Sequence, residues 1–162
     1  MMQENKKGFT LIEMLIVVTI VALLSSLILV GLQPARTAAR DARRIVDLNQ
    51  VKNGLELYFN KCGYYPGQIQ PDLRCSIFQP ISTWQELTDA LTGSNLDIDA
   101  LPNDLTTGNT YLYATDSSGK HYILGAVFEN PSNPALQSSV HNDKITFSIP
   151  FSCDPPVYCT HL

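Results

Sequence analysis

From Phe9 to Leu32 the chain runs for 24 residues with one formal charge, Glu13. As a helix that run is about 36 Å long, enough to cross the hydrocarbon core of a bilayer. A secretory signal has a shorter apolar core and a small-residue cleavage site, and neither is present here. Lys6 and Lys7 precede the run, as they would before a membrane anchor. Glu13 is the anomaly. A carboxylate near the centre of a spanning helix costs about 2.5–3.5 kcal/mol to insert, and less near the interface. A residue retained against that cost calls for a partner.

Charge is unevenly distributed along the chain. Lys6, Lys7, Arg36, Arg40, Arg43 and Arg44 are six of the eleven basic residues, and from Ile45 onward five basic residues face twelve acidic ones. An acidic distal portion argues against a nucleic-acid-binding domain. The basic cluster at 36–44 reads first as a solvated helix face, then as a contact for anionic headgroups, and last as a DNA contact. The four basic residues after the apolar run would place its C-terminal side in the cytoplasm. Cys62, Cys75, Cys153 and Cys159 favour the opposite side, since disulfides persist in oxidising compartments. Four cysteines allow three connectivities, and a zinc site using His161 beside Cys159 fits no standard ligand spacing.

The residues KKGFTLIE, Lys6 to Glu13, followed by MLIVVTIVALL, resemble the N-terminal signature of the type IV pilin and type II secretion pseudopilin superfamily. The resemblance implies cleavage between Gly8 and Phe9 by a prepilin peptidase on the cytoplasmic face, and N-methylation of Phe9. It implies that the domain after the helix faces outward. It also gives Glu13 a partner, the new N-terminal amine of a neighbouring subunit. A lone carboxylate and a lone ammonium are each costly in lipid, so pairing them between subunits relieves both.

Beyond Leu32 the helical pattern is interrupted by Gly31 and Pro34, where a kink or local melting is expected. It then resumes, with Ala38, Ala42, Ile45, Leu48, Val51, Leu55 and Tyr58 or Phe59 on one stripe. The expected stem spans 9–60, or roughly 75 Å by the rise per residue. Its 9–32 part serves membrane and assembly, and its 35–60 part is amphipathic. Residues 1–8 form the leader and 61–162 the head. The segment 61–80 is rich in Gly and Pro, and its CGYYP element resembles the turn after the stem in many pilins. Thr83 with Glu86 forms a capping box ahead of a short helix ending at Gly93, with Trp84, Leu87 and Leu91 on its inner face. Strands are expected at 111–115, 121–129 and 144–151, the first two joined by the DSSGK hairpin. LPNDLTTGNTYLY resembles the segment leading into the sheet of major pseudopilins, with Leu105 where Pro usually follows the Asp. The fold class is therefore α+β: a pilin-like long N-terminal stem helix, transmembrane in its first half, packed on a small antiparallel sheet. Pairing by sequence proximity alone joins Cys62 to Cys75 and Cys153 to Cys159.

No enzyme signature is present: HExxH, GxSxG and P-loop patterns are absent. His121, His141 and His161 are scattered. Asp97, Asp99 and Asp104 offer hard oxygen ligands, but without the spacing or glycine of an EF-hand, so a solvated acidic loop is expected, with no metal and no cofactor. The sequence reads as a non-enzymatic structural subunit. Its expected partners are the prepilin peptidase, copies of itself or other pilins, inner-membrane platform proteins and the cytoplasmic membrane. It would begin as a single-pass inner-membrane protein and end in a surface or periplasmic filament. A type II secretion pseudopilin shares every motif. An uncleaved single-span anchor carrying a small binding domain is the rival from another class.

Overall fold

A computed structural model describes residues 8–67, 75, 81–147 and 149–161, without the side chains of 27–31. Residues 1–7 of the expected leader 1–8, with Lys6 and Lys7, and most of the 61–80 loop lie outside the described residues. The chain divides into two compact units, Met1–Thr37 and Ala38–Leu162.

The first unit is helical. Helix α1 is assigned over Leu11–Cys62, so it begins here and continues into the second unit. It is unbroken at Pro34, where the sequence suggested a kink or local melting, so the helix does not melt there. Pro forfeits one backbone hydrogen bond, a loss the surrounding turns tolerate. Among the described residues no helix is long and apolar enough to cross a membrane. The described side chains of the apolar run stop at Ser26, and residues 11–26 alone fall short of the ~20 that a span requires.

The second unit is an α+β domain. Leu48, Val51, Leu55, Tyr58 and Cys62 are fully buried on α1 at alternating steps of three and four, as the apolar stripe requires. Helix α2, Trp84–Thr92, starts with a reciprocal cap: the Glu86 amide donates to Thr83 Oγ1 at 3.2 Å, and the Thr83 amide donates to Glu86 Oε2 at 2.9 Å. Trp84, Leu87 and Leu91 face inward.

Three strands, β1 (Leu112–Thr115), β2 (Tyr122–Val127) and β3 (Val157–His161), form one antiparallel sheet in the order β1-β2-β3. On β2 the residues alternate between faces. Tyr122, Leu124 and Ala126 join the core shared with α1 and α2, while Ile123 joins a second cluster with Ala114, Cys153 and Cys159.

The third strand differs from expectation. The described part of 144–151 forms no strand, and the tail, 157–161, takes the place beside β2. The period-two pattern of 144–151 was nevertheless real. Ile145, Phe147, Ile149 and Phe151 all pack on the second cluster, but as irregular chain covering the outer face of the sheet. Gly125 permits that close approach: a Cβ there would sit 3.3 Å from Phe151 Cε2 and from Leu112 Cβ. Pro150 lacks a ladder donor. The tail is held instead. Cys153 and Cys159 form a disulfide with Cα atoms 5.6 Å apart, and the Cys159 amide donates to Ser139 Oγ at 2.8 Å. Cys159 therefore offers no thiolate for a metal beside His161. Cys62 and Cys75 form a second disulfide, with Cα atoms 5.7 Å apart, at the end of α1.

The core holds many tyrosines. Burial pushes the hydroxyls of Tyr58, Tyr65, Tyr111, Tyr113 and Tyr122 well above the usual tyrosine range. These are acids with raised folded values, so their contribution to stability is complete below about pH 10, the unfolded value. It is lost as the pH rises above that, because the unfolded chain ionises first. An alkaline titration followed by phenolate absorbance should show these five ionising late, in one cooperative step that coincides with loss of circular dichroism. Graded ionisation of all seven tyrosines near pH 10, with the fold intact, would contradict this.

Candidate processing and assembly site

Two groups of polar residues stand out, one at the start of α1 and one where the second unit first grips it. At the start, Gly8, Phe9 and Thr10 are non-helical and exposed. Among the described residues a Cβ at Gly8 would meet nothing within 4 Å, so none of them demands glycine there. Helix α1 then opens with a cap that the sequence reading had passed over. Glu13 Oε2 accepts from the Thr10 amide at 2.8 Å and from Thr10 Oγ1 at 2.6 Å. The Glu13 amide points back to Thr10 Oγ1 at 3.4 Å. This is the T-x-x-E capping box, written in the sequence as TLIE. It fixes the helix start two residues after Phe9. Both Thr10 bonds fall on Oε2, which leaves Oε1 to accept from another group.

Past Glu13 the helix surface is apolar on all sides. Phe9 is 81% exposed, and Leu11, Ile12, Leu15, Val18 and Leu23 are also exposed. A helix apolar all round needs lipid or other helices around it. Its hydroxyls are adapted to such surroundings. Thr19 Oγ1 donates to the carbonyl of Ile16 at 2.8 Å, and Ser26 Oγ donates to that of Leu23 at 2.8 Å, so these two hydroxyls are satisfied within the helix.

The second group corrects the reading of 36–44 as a solvated basic face. Arg44 is buried, with its side chain 2% exposed, and so is Asp41. Arg44 Nη1 donates to Asp41 Oδ1 at 2.7 Å, and its Nε donates to Asp104 Oδ2 at 2.7 Å. Its Nη2 reaches Thr106 Oγ1 at 2.8 Å and Glu129 Oε1 at 3.1 Å. Arg40 Nε donates to Glu129 Oε1 at 2.7 Å. Asp41 also accepts from the backbone amides of Glu129 and Asn130, at 2.9 and 3.2 Å. Asp104, expected in a solvated acidic loop with Asp97 and Asp99, is thus the buried partner of an arginine. Arg43 remains largely exposed, 3.8 Å from Asp47, and Arg36 is exposed.

These contacts fix charge states. The hydrogen bond from Arg40 leads in holding the Glu129 carboxyl down to about 2. Burial alone would raise the Asp104 carboxyl, but the bonds from Arg44 and the Thr106 amide outweigh it and hold it below the usual range. A signal for the cluster existed in the sequence. Asp41 and Arg44 continue the spacing of Leu48, Val51, Leu55 and Tyr58 toward the N-terminus, so the buried stripe runs on through charged residues. Among the described residues no cluster of His, Cys, Asp and Glu could hold a metal ion.

Residues 4–29 match the model of the prokaryotic N-terminal methylation motif. The chain carries a prepilin-type signal. Gly8, Phe9, Thr10 and Glu13 all lie inside the matched segment, and the apolar face of α1 up to Ser26 lies there with them. The matched segment ends before the second unit begins, so the ion cluster around Arg44 lies outside it. No curated protein and no solved structure matched this chain.

Proposed function

We propose that the chain is a structural subunit of a type IV pilus-like filament and not an enzyme. In this reading it enters the cytoplasmic membrane through residues 9–32 with its head outside. It is cleaved between Gly8 and Phe9 by a prepilin peptidase, methylated on Phe9, and packed into a filament through α1. The observation that carries the reading is the prepilin-type signal on a helix whose first described turns, up to Leu24, expose apolar side chains on every side. Such a surface is stable in lipid and equally stable against other helices, so a subunit can exchange one for the other. Glu13 then selects the assembled state. Its Oε2 is engaged by Thr10, and the new amine of a neighbouring Phe9 supplies a cation for Oε1. A type II secretion pseudopilin would use the same parts, and fibres sheared from the cell surface separate the two cases.

Gly8 gives a direct test, because a side chain there would meet none of the described residues. Gly8→Phe should leave the protein folded and inserted but as an unprocessed precursor on a gel. A mature N-terminus at Phe9 in that variant would overturn the proposal that the peptidase reads Gly8.

A further inference from the structure

The outer side of the sheet carries a pocket of about 220 Å³ that the assembly reading does not use. Its floor is apolar, formed by Ile123 of β2 with Ile145 and Phe147 of the covering segment. Its rim is made of His121, Lys144 and His161. These groups come together for identifiable reasons. His161 lies opposite Ile123 in the β2–β3 register, and His121 stands two residues before Ile123, on the same side of the strand. Lys144 ends the short 3-10 turn Asn142–Lys144 that leads into the covering segment.

From Ile45 on the chain has twelve acidic and five basic residues, yet two of its three histidines and one of those lysines meet here. Among the described residues, the titratable groups at the pocket are these three and, behind His121, Asp116. That carboxylate is occupied by its own hairpin. It accepts from Ser118 Oγ at 2.6 Å, the Lys120 amide at 2.9 Å and the His121 amide at 3.2 Å, and it meets His121 Nδ1 at 3.0 Å. The contact with Nδ1 fixes the imidazole and leaves Nε2 as its second polar atom. Among the described residues no carboxylate pairs with Lys144 or His161.

We propose that this pocket binds a small organic carboxylate. The anionic group is held by His121, Lys144 and His161, and the apolar body lies on Ile123, Ile145 and Phe147. An apolar floor with a few convergent polar groups is the usual build of a small-molecule site. The volume is below the 300–1,000 Å³ typical of drug-sized ligands, which limits the body to about one ring. Lys144 supplies the formal positive charge for the anionic group, and the two imidazoles offer N–H donors beside it. The proposal concerns the head alone and stands whether or not the chain assembles.

The test uses the full chain in detergent micelles, with benzoate as the probe and histidine ring resonances as the readout. Benzoate should shift the His121 and His161 signals saturably. Benzamide, with the same body and no charge, and acetate, with the charge and no body, should each bind about tenfold more weakly or worse. Lys144→Gln should weaken benzoate binding by about tenfold, the loss of one charge-assisted hydrogen bond, while Lys144→Arg retains it. Lys144 is exposed, so both variants should keep the fold. Equal binding of benzamide, shifts that never saturate, or binding unchanged by Lys144→Gln would each overturn the proposal.

Discussion

Replacing Arg44 with methionine should destabilise the head by about 3–5 kcal/mol, the cost of breaking a buried ion cluster from one side. The carboxylates of Asp41 and Asp104 are both buried and both take their cation from Arg44. Without it, among the described residues, one buried carboxylate keeps only backbone and Asn133 donors, and the other keeps only Thr106. Methionine fills much of the same volume, so the effect comes from charge and not from a cavity. Thermal unfolding should shift down by about 10 °C or more for a domain of this size. Arg40→Met is the contrast. That side chain is about a third exposed, and its loss should cost much less than that of Arg44. Replacing Asp41, Arg44 and Asp104 together with apolar residues of similar size should recover most of the loss, because a buried ion cluster contributes little net stability over a packed apolar one. Chemical denaturation of the four proteins decides the matter. Equal stability of the Arg44 and Arg40 variants would contradict the account. Acid acts on the same contacts. The Glu129 carboxyl is depressed to about 2 from an ordinary 4.5, so its contribution is complete above about pH 4.5 and is lost as the pH falls toward 2.

Glu13→Leu should remove filaments altogether while leaving cleavage intact. Two properties go with that carboxylate, its charge and its cap on Thr10, and a leucine removes both. Glu13→Gln separates them. The amide oxygen still accepts from the Thr10 amide and hydroxyl, so the helix start is retained, but no negative charge remains for a neighbour's amine. If assembly depends on pairing charges between subunits, the Gln variant is processed and stays in the membrane, as the Leu variant does. Filaments of normal abundance from the Gln variant would assign Glu13 to capping and remove the intersubunit pairing from the account. Loss of the cap alone is worth only about 0.5–2 kcal/mol, too little to abolish assembly.

What was legible in the sequence followed from repetition. The amphipathic stripe from Leu48 to Tyr58 repeats often enough for its buried face to be unambiguous, and the Thr83–Glu86 box and the DSSGK hairpin are local signals that need no tertiary partner. The cluster around Arg44 was not legible, because a charged residue on a helix is ordinarily exposed and its partners Asp104 and Glu129 lie 60 and 85 positions away. The pattern of 144–151 gave the side on which its residues lie but not its backbone pairing. Alternation specifies which face is apolar, and a disulfide-held tail competed for the same strand edge. The Thr10–Glu13 box was present as plain text, but in a run so apolar the carboxylate drew a long-range explanation before a local one.

The most direct test of the central claim is mass spectrometry of the N-terminal peptide of the protein isolated from the cell envelope and from a sheared surface fraction. The account predicts a peptide that begins at N-methylated Phe9 in both fractions. A peptide that still extends before Phe9, with no methylated Phe9 form, would contradict it and leave an uncleaved membrane anchor.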